Sequence, residues 1–169
     1  GEQLWQREKS FNIQYWAQSN GDLILVTDHD IPLWIANQDD ILPWDKAPAG
    51  LLASTNKQLW LYASDGIYTL NPQTRNAQLR YPLPPGLASR RAILGLTNGG
   101  ILFTHSDSHD QRILALDTHG SLLWEYSYGD QLEGEPHFLW GHDQAYIVFV
   151  PPSSGSRGSY ATAELLLID

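Results

Sequence analysis

The chain of 169 residues is 42% apolar, 11% aromatic and 17% charged, the proportions of a folded globular domain. Ten Lys and Arg face nineteen Asp and Glu, a net charge of −9 that argues against nucleic acid or an anionic membrane surface as the main partner. There is no cysteine, which excludes disulfides, zinc-thiolate sites and thiol nucleophiles, and leaves any metal site to His and carboxylates. Apolar runs such as Ala145 to Val150 are far shorter than the ~20 residues of a membrane-spanning helix, so no membrane insertion is expected. Gly1 opens without a basic and apolar leader, so any signal segment or anchor is expected to have been removed or to lie outside this sequence.

Internal repetition organises the rest. Four turn signals, Asn20-Gly21, Asn56-Lys57, Asn98-Gly99 and His142-Asp143, stand 36, 42 and 44 residues apart, each between two apolar runs. Asn-Gly favours a two-residue hairpin because both residues accept positive φ. In the first unit the turn is followed by Leu23 to Thr27, then Pro32 to Asn37, then Ile41 to Trp44. The second unit has Leu59 to Ala63, Gly66 to Asn71 and Gln78 to Tyr81, and the third has Ile101 to His105, Arg112 to Asp117 and Leu122 to Trp124. The fourth has Ala145 to Val150 and Ala163 to Asp169, while Gln3 to Trp5 at the other end of the chain carries the pattern of its missing last run. These runs are rich in β-branched and aromatic residues, helical periodicity is absent, and ten prolines and fourteen glycines punctuate the chain. The expected fold is all-β: a β-propeller of four four-stranded blades at about 11–46, 47–86, 87–130 and 131–169 plus 1–10, with the N-terminal strand completing the last blade.

The third unit reads Ala115-Leu116-Asp117-Thr118-His119-Gly120-Ser121-Leu122-Leu123-Trp124. Its Ala-x-Asp, Gly and Trp spacing resembles the tryptophan-docking repeat of the quinoprotein-like β-propeller superfamily. The first unit has Ala36, Asn37 and Trp44 with Asp40 in place of the glycine, and the second has Leu70, Asn71 and Tyr81. The resemblance implies the fold and an extracytoplasmic setting, periplasmic or secreted. It spans quinone-dependent dehydrogenases and non-catalytic scaffolds of outer-membrane assembly, so it implies little about activity. The enzymes that bind pyrroloquinoline quinone carry adjacent cysteines and usually eight blades, and a Cys-free chain with four units is expected to hold no cofactor. Gly141-His142 and Trp44-Asp45 are dipeptides of the signalling propellers with repeated Trp, but they lie in different units at the wrong spacing. The recurrent aromatics Trp5, Trp44, Tyr81 and Trp124 are expected to fill the space between blades, whereas Trp16, Trp34, Trp60 and Trp140 fall outside that position.

In a four-stranded meander, the loops between second and third strands share a face with the links between blades, and the first hairpins lie opposite. That loop face collects the candidate binding residues: His29 and Asp30, Arg90 and Arg91, His105, Asp107 and His109, Glu133, Glu135 and His137, and Tyr160 at the end of a long loop. The run His105 to Asp110 offers oxygen and imidazole donors at alternate positions, yet a solvated loop explains it as well, and no metal site is expected. Arg90-Arg91 offers a place for an anionic group. Glu125, Asp130, Glu133 and Glu135 could pair for glycoside hydrolysis, but nothing in the sequence fixes their separation. No nucleophile elbow or phosphate-cradling glycine loop is present, so no catalytic residue is expected.

The expected function is a non-catalytic ligand- or protein-binding scaffold, part of a larger protein or assembly, with its protein partner or small ligand on the loop face. One alternative is an enzyme domain acting on carbohydrate or using a quinone, which needs a perturbed carboxylate or His converging in a channel. The other is a half-ring that pairs with a second copy into an eight-bladed dimer, exchanging the strand Gln3 to Trp5.

Overall fold

The computed structural model describes residues 13–19, 22–27, 33–36, 40–55, 58–84, 91–106, 110–128, 135–140, 145–150 and 164–168. Every regular element among them is a β-strand. The first sheet is the meander β1 (Ile13–Ser19), β2 (Asp22–Thr27), β3 (Leu33–Ala36) and β4 (Ile41–Pro43). The second is β5 (Gly50–Ser54), β6 (Leu59–Ala63), β7 (Gly66–Asn71) and β8 (Asn76–Pro82). The third is β9 (Ile93–Gly95), β10 (Ile101–Ser106), β11 (Gln111–Leu116) and β12 (Leu122–Ser127). The fourth has three strands, β13 (Glu135–Trp140), β14 (Ala145–Val150) and β15 (Glu164–Ile168). All pairings are antiparallel between consecutive strands. The expected fourth strand of that last sheet, Gln3 to Trp5, lies outside the described residues.

The sheets stack through their first strands, with β5 touching β1 on one side and β9 on the other. Both faces of the second sheet are therefore covered, and its central strand β6 is buried at every position. Strand alternation divides its side chains between two cores. Leu59, Leu61 and Leu70 join Ile24, Val26, Ile35 and Trp44 of the first sheet, while Trp60, Tyr62 and Ile67 join Ile101, Phe103, Leu114 and Leu116 of the third. A smaller core of Leu102 and Ala115, with Phe138 of β13 against it, links the third sheet to the fourth. Of the recurrent aromatics, Trp44 is buried between sheets and Tyr81 packs on the second core, but Trp124 stays 37% exposed. Trp60, from outside the repeated position, is a fully buried core residue whose indole N–H donates to Gly99 O at 3.2 Å.

Two turns explain why the third unit shows the repeat most clearly. At the β11–β12 turn, Asp117 Oδ1 accepts from the N–H of His119 and of Ser121, both at 2.8 Å, and Gly120 takes φ +87°. Backbone hydrogen bonds to Asp117, first from Ser121, hold its carboxyl below the usual carboxylate range. A Cβ on Gly120 would stand 2.5 Å from Cβ of Arg80 in β8, so the glycine also permits the second and third sheets to approach. Gln58 reinforces that contact, donating from Nε2 to Thr118 O at 2.8 Å. At Asn98-Gly99, the hairpin is longer than the expected two residues. Leu96 N–H donates to Gly100 O at 2.8 Å, enclosing three residues of which Gly99, at φ +97°, is the third.

Gly120→Ala is expected to cost more than about 1 kcal/mol, because the left-handed backbone and the close approach of Arg80 both oppose a methyl group. Urea unfolding of wild type and variant measures it, and an unchanged midpoint would remove the turn from the account. Since Asp117 is depressed in the fold, its contribution to stability is present above about pH 4 and fades as acid protonates it. Asp117→Asn, which keeps an accepting oxygen, should lose that pH dependence and stay more stable than Asp117→Ala at neutral pH.

Candidate functional site

Polar groups inside these cores gather where the second and third sheets meet at their loop end. Near the end of β6, Tyr62 is turned toward the third sheet, and β10 brings Phe103 and His105 to face it. Tyr62 is 1% exposed and His105 4%, and the Tyr62 and Phe103 rings meet edge to face at 5.3 Å. The Tyr62 hydroxyl donates to Thr104 O at 2.8 Å. That uses its single proton, so its 3.3 Å contact with His105 is accepted from Nδ1–H of the imidazole. Burial pushes the Tyr62 phenol up to about 12, against the opposing pull of the Arg91 cation.

Arg91 completes the group. Its guanidinium lies 5.2 Å from the centroid of the Tyr62 ring, within range of a cation–π interaction. The backbone beside it is fixed, since Ala92 N–H donates to Thr104 Oγ1 at 2.8 Å while Thr104 N–H donates to Ala92 O at 3.0 Å. No acidic side chain among the described residues pairs with this guanidinium. The neighbouring cation, Arg112 of β11, differs in this respect, with its Nε 3.6 Å from Asp110 Oδ2. Ser127 Oγ also donates to Asp110, and Tyr128 N–H donates to Gln111 O at 3.0 Å, closing the outer side of the cluster.

Of the residues expected on the loop face, the structure thus brings together Arg91 and His105. His137 is exposed on β13, and the alternation that turns Phe138 toward the third sheet turns His137 away from it. Glu135 lies in β13, with its side chain outside the described set. His29, Asp30, Arg90, Asp107, His109, Glu133 and Tyr160 also lie outside the described residues. Among the described residues, no group of three or more His, Asp or Glu could hold a metal ion, and no helix is long and apolar enough to cross a membrane. Tyr62 was the residue that sequence reasoning missed. Its signal was a polar end on the face of β6 that begins with Trp60, in a strand otherwise apolar throughout.

The opposite, hairpin face carries a groove of about 350 Å³ on the second sheet, lined by residues that include Gln58, Thr69, Asn71, Gln73, Gln78 and Arg80. Its lining is rich in amides and has no aromatic ring. Arg80 is engaged there, donating from Nε to Thr69 Oγ1 at 2.9 Å.

No protein-family model matches the chain, and no curated protein matches it significantly. Among solved structures, the chain is similar to a Bacteroides fragilis protein named as a candidate exported protein. The TM-score is 0.52 at 15% identity, over 85% of this chain. The chain spans 56% of that protein's length. At this identity the likeness is one of fold, an all-β arrangement of antiparallel sheets.

Tyr62→Phe removes one donor from Thr104 O and one acceptor from His105, and should cost about 1 kcal/mol in urea unfolding. Alkali provides a second reading. A folded phenol near 12 against an ordinary value near 10 binds its proton more tightly in the fold, so its contribution is complete below pH 10 and is lost between pH 10 and 12. Ultraviolet titration should show a tyrosine ionising near pH 12 in the wild type that is missing from Tyr62→Phe.

Proposed function

We propose that the chain is a non-catalytic binding domain of an extracytoplasmic protein, built as a propeller-like array of blades and holding its ligand or partner at the loop end between the second and third sheets. The observation that carries this reading is the Arg91 guanidinium, braced on the Tyr62 ring beside buried His105 and without an acidic partner among the described residues. A cation held against a ring at the loop end is equipped for recognition, since part of the ordering cost of binding is met by the fold. Stacked meanders joined through their first strands support the propeller arrangement. The similarity to a protein named as a candidate for export supports the location.

Saturation-transfer NMR with a mixed set of small carboxylates, phosphates, sugars and amines tests the binding role. Bound members should lose their signal with Arg91→Ala, keep it with Arg75→Ala on the opposite face, and emerge chemically unchanged. Binding indifferent to Arg91, or conversion of a member to product, would count against the reading.

A second reading is favoured by Trp16, which is 66% exposed on β1. It pairs with Leu25, whereas Ile24 and Val26 face the second sheet, so Trp16 stands on the outer face of the stack. A second copy seated on that face would make the chain a half-ring. Light scattering should then give about twice 19.0 kDa, falling to 19.0 kDa with Trp16→Ala. A wild-type mass of 19.0 kDa at all concentrations would sink the half-ring.

A further inference from the structure

We infer that the Arg91 site takes a carboxylate, borne by a small organic acid or by an acidic side chain of a partner. The inference rests on the binding role proposed above and deepens it by naming the ligand chemistry.

The first step is the number of charges on offer. Arg91 is a cation without an acidic partner among the described residues, whereas Arg112 close by is engaged with Asp110. One open cation matches one negative charge. A phosphate dianion placed here would bring a second charge into a protein already at −9, with Asp110 beside the cluster. The polar groups around Arg91 offer that second charge little. The Tyr62 proton is given to Thr104 O, the His105 Nδ1 proton is turned toward Tyr62, and Ala92 N–H is taken by Thr104 Oγ1.

The second step is shape. A guanidinium presents a planar fork of N–H donors that fits the two oxygens of a carboxylate side by side. The Tyr62 ring meets this cation through its face, 5.2 Å from the guanidinium carbon, and a π face takes no more than the N–H groups turned toward it. Thr104 fixes Ala92 through both side chain and backbone, and so sets where the neighbouring Arg91 begins. The fork is thus held in position before any ligand arrives.

The probe is sodium acetate, titrated into the full 169-residue chain at constant ionic strength against sodium chloride, with side-chain Nε–H resonances of arginine followed by NMR. Acetate should shift the Arg91 resonance in a saturable way that chloride does not reproduce. Arg91→Lys, which keeps the charge and loses the fork, should weaken the effect about tenfold, and Arg91→Gln should abolish it while leaving the backbone spectrum otherwise unchanged. An equal shift in chloride overturns the inference, as does tighter binding of inorganic phosphate than of acetate. If acetate leaves Arg91 still but moves backbone resonances elsewhere on the loop face, the carboxylate inference falls and the loop-face reading stands. If no resonance on that face responds to acetate, phosphate or the mixed set used above, both fall.

Discussion

The structure depends on one constraint, the burial of the second sheet from both sides. A strand in the middle of such a stack has no solvent-facing side, so it reads as a continuous apolar run where a strand on a half-exposed sheet would alternate. Leu59 to Ala63 is such a run, and β10 obeys the same rule, with all six residues from Ile101 to Ser106 buried. Every polar group admitted to these strands must then be satisfied inside the protein. Trp60 donates its indole N–H to the Asn98-Gly99 turn, and Tyr62 donates its hydroxyl to Thr104 O. Both bonds cross from the second sheet to the third, one at the hairpin end and one at the loop end. They fix the register between sheets that hydrophobic packing alone would leave free to slide.

That register explains why a polar cluster forms at one end of the seam. At the hairpin end, Gly120 lets Arg80 approach and Gln58 bonds to Thr118 O across the two sheets, while Arg80 bonds to Thr69 within the second sheet. At the loop end, the donors of Tyr62, His105 and Thr104 are likewise engaged, but beside them lies a cation with no acidic partner among the described residues. The difference between the two ends lies in what the last charged residue does. Arg80 packs beside Gly120 of the third sheet and bonds within its own sheet, whereas Arg91 rests on the Tyr62 ring.

Much of the strand order was legible in the sequence, because strand period and turn chemistry are local. Gly66 to Asn71, Leu59 to Ala63 and Ala145 to Val150 coincide with β7, β6 and β14 to the residue. Ends set by long-range pairing were less legible. β8 runs from Asn76 to Pro82 and β12 continues to Ser127, beyond the runs that apolar pattern marks, since an outer strand is extended by its backbone ladder and needs no buried side chain. The hairpin at Asn98-Gly99 shows the same limit, where Asn-Gly gave the place of the turn but the bond from Leu96 to Gly100 set its length. The Ala115 to Trp124 motif was the most informative segment, and each part now has a cause. Ala115 lies opposite Trp124 in the ladder, Asp117 binds the turn amides, and Gly120 supplies the positive φ.

The candidate site was legible only in part, for a related reason. Arg91 and His105 were noticed because charged and titratable residues near loops draw attention, but nothing local says that one lies over a ring and the other against its hydroxyl. The ring belongs to Tyr62, far away in the chain, in a segment whose composition marks it only as core. The geometry also changes what His105 is for. As part of a loop run it was one donor among several for a cation, whereas inside β10, with Nδ1–H directed at Tyr62, it orients the ring on which Arg91 rests. Among the described residues the seam carries a single asymmetry: Asp117 serves its own turn and Asp110 meets Arg112, while Arg91 rests on the Tyr62 ring.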